Sequence, residues 1–154
     1  MRLTIAAVGR LRGGPLAEAF ADYAGRLKPG RWTLELVEVE ERRRLSGPEL
    51  VAREGELLLA AMPRGAFAIA LDPRGATLSS EDLAARLGRL RDEGSAVAFA
   101  IGGADGLDKS VLRAARLSLS LGAMTWPHML ARVMLAEQLF RAQSILSGHP
   151  YHRG

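Results

Sequence analysis

The chain has 154 residues, 48% hydrophobic and 25% charged, which is the composition of one globular domain rather than of a disordered or fibrous protein. It has no cysteine, so disulfides, thiol catalysis and thiolate metal sites are excluded, and its three histidines lack metal-ligand spacing. No apolar run approaches the roughly 20 residues of a membrane span, and residues 1–9 lack the apolar core of a signal peptide. We therefore expect a cytoplasmic protein of one domain, residues 1–154, with no metal and no membrane contact.

The charge balance of the chain is basic. The formal net charge of +4 favours a polyanionic partner such as RNA or DNA, because cationic side chains neutralise phosphates. Only Lys28 and Lys109 among the 21 basic residues are lysines, and codon composition alone produces such an arginine bias. Charge therefore favours nucleic-acid binding without establishing it.

Apolar and polar residues follow a pattern that switches repeatedly between strand and helix. Ser46 and Glu49 form a capping-box pattern at one helix start, and Ser79 or Ser80 caps another helix. Residues 72–75 are predicted to turn the chain after a buried strand. Strands are predicted at residues 3–8, 33–39, 66–71, 95–101 and 117–121, and helices at 15–27, 47–62, 80–93, 108–116 and 129–146. This order predicts an α/β domain with a mainly parallel sheet and helices on both faces.

Three loops that follow predicted strands are candidates for a binding site. They are residues 71–75, 101–106 and 122–128, and two of them are rich in glycine. In open α/β sheets, ligands bind beyond the carboxyl ends of the strands, where such loops gather. Glycine lets a ligand approach the main chain closely, so these loops suit a nucleoside-type cofactor held by amides and carbonyls.

The last predicted helix carries an arginine on its apolar side. On a helical wheel, Arg132 lies with the buried leucines and alanines, where an unpaired cation is costly. Two interpretations remain open: a salt bridge inside the core, or an arginine that contacts substrate phosphate or cofactor. Leu130, Met134 and Ile145 lie toward the opposite side, and a helix that is apolar on two sides favours a homodimer.

The C-terminal tail has an unusual composition. His149, Tyr151 and His152 lie within the last six residues, beside Arg153. A frayed terminus usually carries solvating residues with no chemistry. The tail is therefore either docked onto the domain or part of a functional site.

Four motifs in this order resemble one known family. They are residues 101–106 (IGGADG), 125–132 (TWPHMLAR), 137–142 (EQLFRA) and 149–153 (HPYHR), and the likeness covers essentially the whole chain. The chain resembles the RlmH family of the SPOUT superfamily, bacterial methyltransferases that act on N3 of a pseudouridine in large-subunit ribosomal RNA. The resemblance implies an α/β sheet with a C-terminal trefoil knot, a homodimer and S-adenosylmethionine as cofactor. The expected partner is large-subunit ribosomal RNA, in the assembled ribosome or free, and the sequence does not decide between the two. The sequence departs from the family pattern at Met129, Trp126 and Gly154, which affects the expected loop shape rather than the assignment.

The resemblance also implies roles for individual residues. Arg132, His152 and Arg153 are the catalytic candidates, and His128, His149 and Tyr151 are the candidates for contact with substrate RNA. The general base that removes the imide proton is expected among His128, His149 and His152, without a choice between them. The residues expected to bind S-adenosylmethionine are Leu71, Gly103, Gly122, Ala123, Met124, Thr125, Trp126 and Pro127.

Two other functions compete with this one. A Rossmann-type nucleotide enzyme would use the glycines of residues 9–14, with Glu38 or Glu40 on a ribose, although their spacing does not match the G-x-G-x-x-G pattern. A non-catalytic RNA-binding module would use the arginine surface alone, and its affinity would fall steeply with salt.

Overall fold

The structure is a computed structural model and describes residues 1–152. The prediction for Arg153 therefore lies outside the described residues. The strands are β1 (Arg2–Val8), β2 (Thr33–Val39), β3 (Phe67–Thr77), β4 (Val97–Ile101) and β5 (Leu117–Ser120). The helices are α1 (Gly14–Leu27), α2 (Gly47–Ala61), α3 (Ser80–Asp92), α4 (Lys109–Ala114) and α5 (His128–Ser147), with a 3-10 turn at Lys28–Gly30.

The five strands form one parallel sheet in the order β2-β1-β4-β3-β5. The central strands β1 and β4 are buried along almost their whole length, as expected for a sheet covered on both faces. The sequence prediction of an α/β domain with a parallel sheet is confirmed. The trefoil knot stays a prediction from the resemblance.

Alternation along the strands divides the core into two clusters, one on each face of the sheet. On β1, Leu3 and Ile5 join the larger cluster, with apolar side chains of α1, α3 and α5. Ala6 and Val8 face the other way and join the smaller cluster, where Leu58 of α2 and Val111 of α4 are buried. Helices therefore cover both faces, three on one and two on the other.

The turn predicted at residues 72–75 is wrong, because β3 continues to Thr77. Pairing with β5 is interrupted by a bulge after Leu71 and resumes where Ala76 pairs with Leu119. At Gly75 the β5 backbone comes so near that a Cβ would lie 2.5 Å from the carbonyl carbon of Ser118. Glycine is therefore required there by a close approach between strands, not by a chain reversal.

The helices α2 and α3 start where they were predicted to start, but only α3 is capped by a side-chain hydrogen bond. Ser46 precedes α2, yet its side chain makes no capping hydrogen bond, so the predicted capping box does not form. Ser79 caps α3, because its hydroxyl accepts a hydrogen bond from the backbone N–H of Asp82 at 3.0 Å. Ser80 is instead the first helical residue. Within residues 1–152, no helix is long and apolar enough to cross a membrane.

Candidate functional site

The three loops selected from the sequence converge on one cavity, which we call the loop pocket. It lies at the carboxyl ends of β4 and β5 and beside the bulge of β3 after Leu71, and it has a volume of about 190 Å³. The prediction that these loops share one edge of the sheet is confirmed. The pocket is lined by Leu71, Asp72, Pro73, Ile101, Gly102, Gly103, Ala104, Gly106, Leu119, Leu121, Gly122, Met124, Thr125, Trp126, His128 and Ala131.

Close backbone packing shapes the glycine loop after β4. The Gly106 N–H donates to the Gly103 carbonyl at 3.2 Å, so the chain folds back on itself directly after the strand. A Cβ on Gly102 would clash with the carbonyl group of Gly106. This position therefore needs glycine for steric reasons, and the loop presents main-chain atoms to the pocket.

The loop after β5 forms the outer wall of the pocket. Met124 is 71% exposed and Trp126 is 37% exposed, although both line the pocket. The Trp126 indole N–H donates to the Leu121 carbonyl at 3.3 Å, which ties the ring to the end of the strand. Large apolar side chains at the mouth leave this wall ready to cover a ligand or a partner surface.

Six of the eight residues expected to bind cofactor line the loop pocket. These are Leu71, Gly103, Gly122, Met124, Thr125 and Trp126. Ala123 and Pro127 belong to the same loop but are not part of the lining, and Pro127 is the residue that precedes α5. Most of the selected residues therefore lie at one cavity, and their contact with a cofactor stays a prediction.

Two acidic residues that the sequence analysis did not select lie at the pocket. Asp72 is buried and accepts hydrogen bonds from the Arg74 backbone N–H at 2.7 Å and its guanidinium at 3.0 Å. The bonds from Arg74 hold the pKa of Asp72 below its usual range. Glu54 of α2 lies beneath Gly103, where a Cβ would be 3.2 Å from its Oε2, and burial followed by the charge of Asp105 raises the pKa of Glu54. In the sequence, only its position after a predicted strand pointed to Asp72. No local sequence pattern pointed to Glu54.

Arg132 is fully buried and forms a salt bridge inside the domain. Its Nη1 lies 2.9 Å from Glu38 Oε1, and its Nη2 donates to the Val8 carbonyl. The same Glu38 oxygen accepts the Leu11 backbone N–H at 2.5 Å. Of the two interpretations of Arg132, the structure supports the salt bridge. It also occupies Glu38, one of the two carboxylates, with Glu40, that the Rossmann-type alternative offered to a ribose.

One further atom of Arg132 has no partner. Among the described residues, its Nε is a buried donor without a hydrogen bond. Burial lowers the pKa of Arg132, and the nearby Glu38 carboxylate acts in the opposite direction. The guanidinium is therefore held by two of its three nitrogens, next to the end of β1.

His128 is the histidine that faces the loop pocket. It begins α5 and lies close to the end of β1, since a Cβ on Gly9 would be 3.5 Å from its Nε2. Burial, followed by the positive charge of Arg132, lowers the pKa of His128 below its usual value near 6.5. The imidazole is therefore neutral at pH 7 and able to accept a hydrogen bond or a proton.

The tail folds back onto α5 and α3 of its own chain. The Tyr151 hydroxyl donates to Glu137 at 3.0 Å, and its ring centroid lies 4.6 Å from that of Phe140. His152 Nε2 is 2.9 Å from Glu81. Burial is the main cause that raises the pKa of Tyr151. Of the described tail residues, His149, Tyr151 and His152 do not line the loop pocket, so this chain does not bring them together with His128.

The family whose description reads "Predicted SPOUT methyltransferase" matches residues 1–152. The chain belongs to the SPOUT methyltransferase family. Within it, this SPOUT chain is 59% identical to the "Ribosomal RNA large subunit methyltransferase H" of Rhodospirillum centenum, over 154 residues and 99% of each chain. It is 56% identical to the protein of the same name from Paramagnetospirillum magneticum, again over 99% of each chain. The resemblance to the RlmH family is confirmed.

Solved structures share the SPOUT fold at low sequence identity. A probable methylase family protein from Haemophilus influenzae Rd KW20 matches with a TM-score of 0.55 and 12% identity, over 99% of this chain and 70% of that one. A probable methyltransferase from Bordetella pertussis Tohama I matches with a TM-score of 0.55 and 18% identity, over 92% of this chain and 93% of that one. At these identities the likeness concerns the fold alone.

Proposed function

We propose that this SPOUT methyltransferase transfers a methyl group from S-adenosylmethionine to N3 of a pseudouridine in large-subunit ribosomal RNA. The observation that carries the proposal is the loop pocket, which the bulge of β3 and the loops after β4 and β5 build at one edge of a parallel sheet. The names of relatives that are 56–59% identical over nearly their whole length support the RNA substrate. A protein acting on ribosomal RNA would work in the cytoplasm, where ribosomes are.

The loop pocket fits a nucleoside-type cofactor. Leu71, Ile101 and Leu119 supply apolar contact for a purine, and the loops containing Gly102 and Gly122 expose main-chain donors and acceptors. The volume of about 190 Å³ is below the usual range of about 300–1,000 Å³ for ligand sites. A nucleoside-type cofactor would therefore not fit entirely inside the cavity and would extend through its mouth. The remaining proposed contacts, Gly103, Ala123, Met124, Thr125, Trp126 and Pro127, lie in the same two loops.

S-adenosylmethionine, when bound, supplies an electrophilic methyl group on its sulfonium. The chain must orient the attacking nitrogen and accept the proton that this nitrogen loses. His128 is the proposed proton acceptor, because it faces the pocket and its lowered pKa keeps it neutral at pH 7. Arg132 is proposed to act indirectly, by holding the end of β1 against the first turn of α5.

The tail is proposed to complete the site of a second subunit in a homodimer. His149, Tyr151, His152 and Arg153 would contact RNA or the reacting base there, since none of the described tail residues lines the pocket of its own chain. Half-buried Leu130 and Met134 belong to neither core cluster and, with the loop containing Met124 and Trp126, supply an apolar surface for the partner. Leu130 and Met134 lie in the first two turns of α5, and Met124 and Trp126 lie in the loop before it.

The test is transfer of labelled methyl from S-adenosylmethionine to ribosomes from a strain lacking this gene. Matched particles lacking pseudouridine, and free large-subunit RNA, are the controls. Label is expected in large-subunit RNA of assembled, pseudouridine-containing particles only. Equal label without pseudouridine would exclude pseudouridine as the target nucleoside, and a folded protein that binds no cofactor would overturn the activity.

A second measurement tests the role of His128. His128→Asn should lower kcat about 100-fold or more, the usual contribution of a general base, while Arg89→Gln on the exposed side of α3 should leave it unchanged. An unchanged kcat in His128→Asn would move the role to the tail histidines. The same measurement on His149→Asn and His152→Asn then separates those candidates.

A further inference from the structure

A second feature of the carboxyl edge lies beside the loop pocket. The loops after β1 and β2 start next to each other, since Val8 pairs with Val39 and the Gly9 N–H donates to the Val39 carbonyl at 2.8 Å. Together these loops, residues 9–13 and 40–46, carry five arginines. We call three of them, Arg12, Arg42 and Arg44, the arginine rim.

The rim carries the surplus positive charge of this edge. Each carboxylate in the stretch from Glu38 to Glu41 has an arginine partner outside the rim. Glu38 pairs with Arg132, Glu40 with Arg10 at 3.4 Å, and Glu41 with Arg43 and Arg53 at 3.1 and 2.9 Å. Within residues 1–152, the exposed Arg12, Arg42 and Arg44 have no carboxylate within 4.0 Å. Exposed guanidinium groups free of carboxylates are well suited to bind phosphate.

Hydrogen bonds hold the backbone of both loops in place. Glu41 has a side chain that is only 7% exposed, and it accepts hydrogen bonds from the Arg43 backbone N–H at 2.9 Å and from Arg53 Nε at 2.9 Å. In the other loop, Glu38 accepts the Leu11 N–H at 2.5 Å. Because a residue next to each rim arginine is anchored, less conformational freedom is lost when a ligand binds them.

The rim is joined to the loop pocket through the first turn of α5. The Gly9 backbone packs on this turn, where a Cβ would lie 3.2 Å from Met129 Cε and 3.5 Å from His128 Nε2. His128 also lines the pocket. The loop after β1, which carries Arg12, therefore starts beside His128 and the pocket, and the loop after β2, which carries Arg42 and Arg44, starts next to it.

We propose that the arginine rim binds the phosphate backbone of the substrate RNA and holds it across the carboxyl edge beside the pocket. The inference rests on the proposed function, because it takes ribosomal RNA as the partner. Phosphate contacts position a nucleic acid without reading its sequence. The rim would thus supply affinity, and the pocket with the residues around it would supply the chemistry.

The test compares two triple variants of equal charge. The rim variant is R12Q/R42Q/R44Q, and the control is R2Q/R64Q/R89Q. Arg2 is the first residue of β1, Arg64 precedes β3, and Arg89 lies in the last turn of α3, so the control positions lie toward the opposite edge of the sheet. Like the rim, they are exposed and without a carboxylate partner among the described residues. Both variants are measured for binding to large-subunit ribosomal RNA and to large ribosomal subunits across a range of salt concentrations.

Three phosphate contacts should contribute about 2–3 to the slope of log affinity against log salt, at about 0.7–0.9 per contact. The rim variant should lose this amount and show a raised KM for RNA, while kcat, cofactor affinity and molecular mass stay as in the unsubstituted protein. The control variant should keep its slope. The proposal that the rim binds RNA would be wrong if the two variants showed equal slopes. It would also be wrong if the unsubstituted protein bound neither large-subunit ribosomal RNA nor large ribosomal subunits.

The binding and methyl-transfer measurements separate the two proposals. If the protein binds RNA through the rim but transfers no methyl group, the rim stands and the proposed activity fails. If methyl transfer occurs but the rim variant shows the same salt dependence of RNA binding as the control variant, the proposed activity is correct and the proposed role of the rim is wrong.

Discussion

Arg132 shows, at the scale of one residue, how a buried charge connects two parts of a site. Its guanidinium reaches the Val8 carbonyl and Glu38, and Glu38 in turn holds the Leu11 N–H. The end of β1, the end of β2 and the first turns of α5 are therefore joined by one side chain. Such a pair stabilises the fold only weakly in net terms, but the loss of one partner leaves buried polar groups unsatisfied.

Replacement of this arginine tests the connection. Arg132→Met should lower the free energy of unfolding by about 2–3 kcal/mol, somewhat less than a fully buried pair, because the Glu38 side chain is 26% exposed and regains some water. Urea unfolding monitored by circular dichroism gives the value. Arg64→Met, at an exposed position, serves as the control and should change little. A loss below about 0.5 kcal/mol in Arg132→Met would mean that the pair does not hold this region.

The loop between β2 and α2 shows, at the scale of an element, how charge pairing replaces regular structure. Residues 40–46 contain neither helix nor strand, yet Glu41 binds Arg43 and Arg53 with a side chain that is almost fully covered. Hydrogen bonds from Arg43, followed by those from Arg53, lower the pKa of Glu41 to about 2. The loop is thus held by a carboxylate that stays ionised well into the acid range.

This pKa predicts how the loop responds to acid. Because the folded pKa of about 2 lies below the usual 4.5, ionised Glu41 stabilises the folded state above pH 4.5, and this contribution is lost as the pH falls toward 2. The difference in unfolding free energy between the unsubstituted protein and Glu41→Gln should be constant from pH 7 to about 5 and should shrink below that. Glu18→Gln, exposed on α1 and without an arginine partner in the described residues, is the control. A difference that does not change with pH would show that the pairing is not formed in solution.

At the scale of the whole molecule, the proposed feature is a homodimer. The proposed dimer would cover Leu130 and Met134 together with exposed Met124 and Trp126, an apolar group that one chain leaves open beside its own pocket. It would also bring the tail of one subunit to the pocket of the other. Activity would then depend on protein concentration, because a monomer lacks part of each site.

Sedimentation equilibrium tests the dimer. The unsubstituted protein should sediment at twice the mass of the chain, and Met134→Glu should raise the dimer Kd about tenfold or more, because a buried charge without a partner costs at least about 1.4 kcal/mol. Ala21→Glu, on the exposed side of α1, should leave the Kd unchanged. An unsubstituted protein that is monomeric at all concentrations would overturn the dimer and the role proposed for the tail.

Much of the architecture follows from the sequence by itself. Periodicity predicted all five strands and five helices, with bounds that agree within about two residues except at the end of β3, because it reflects which face of each element is buried. The location of the pocket also followed, since parallel strands place their carboxyl ends at one edge and the three selected segments, two of them rich in glycine, follow predicted strands. The motif at residues 101–106 and the tail motif indicated the family, which the relatives confirm.

Other features were decided only by the tertiary structure. Whether residues 72–75 turn the chain depends on β5, whose backbone approaches Gly75 and lets β3 resume pairing. The partner of Arg132 is Glu38, 94 positions away in the chain, and the tail docks on Glu137 and Glu81. Sequence pattern reports which side of an element is buried, whereas the partner of a buried polar group depends on which distant element packs there. Local composition therefore predicted the elements and the edge that carries the site, and packing decided the contacts within it.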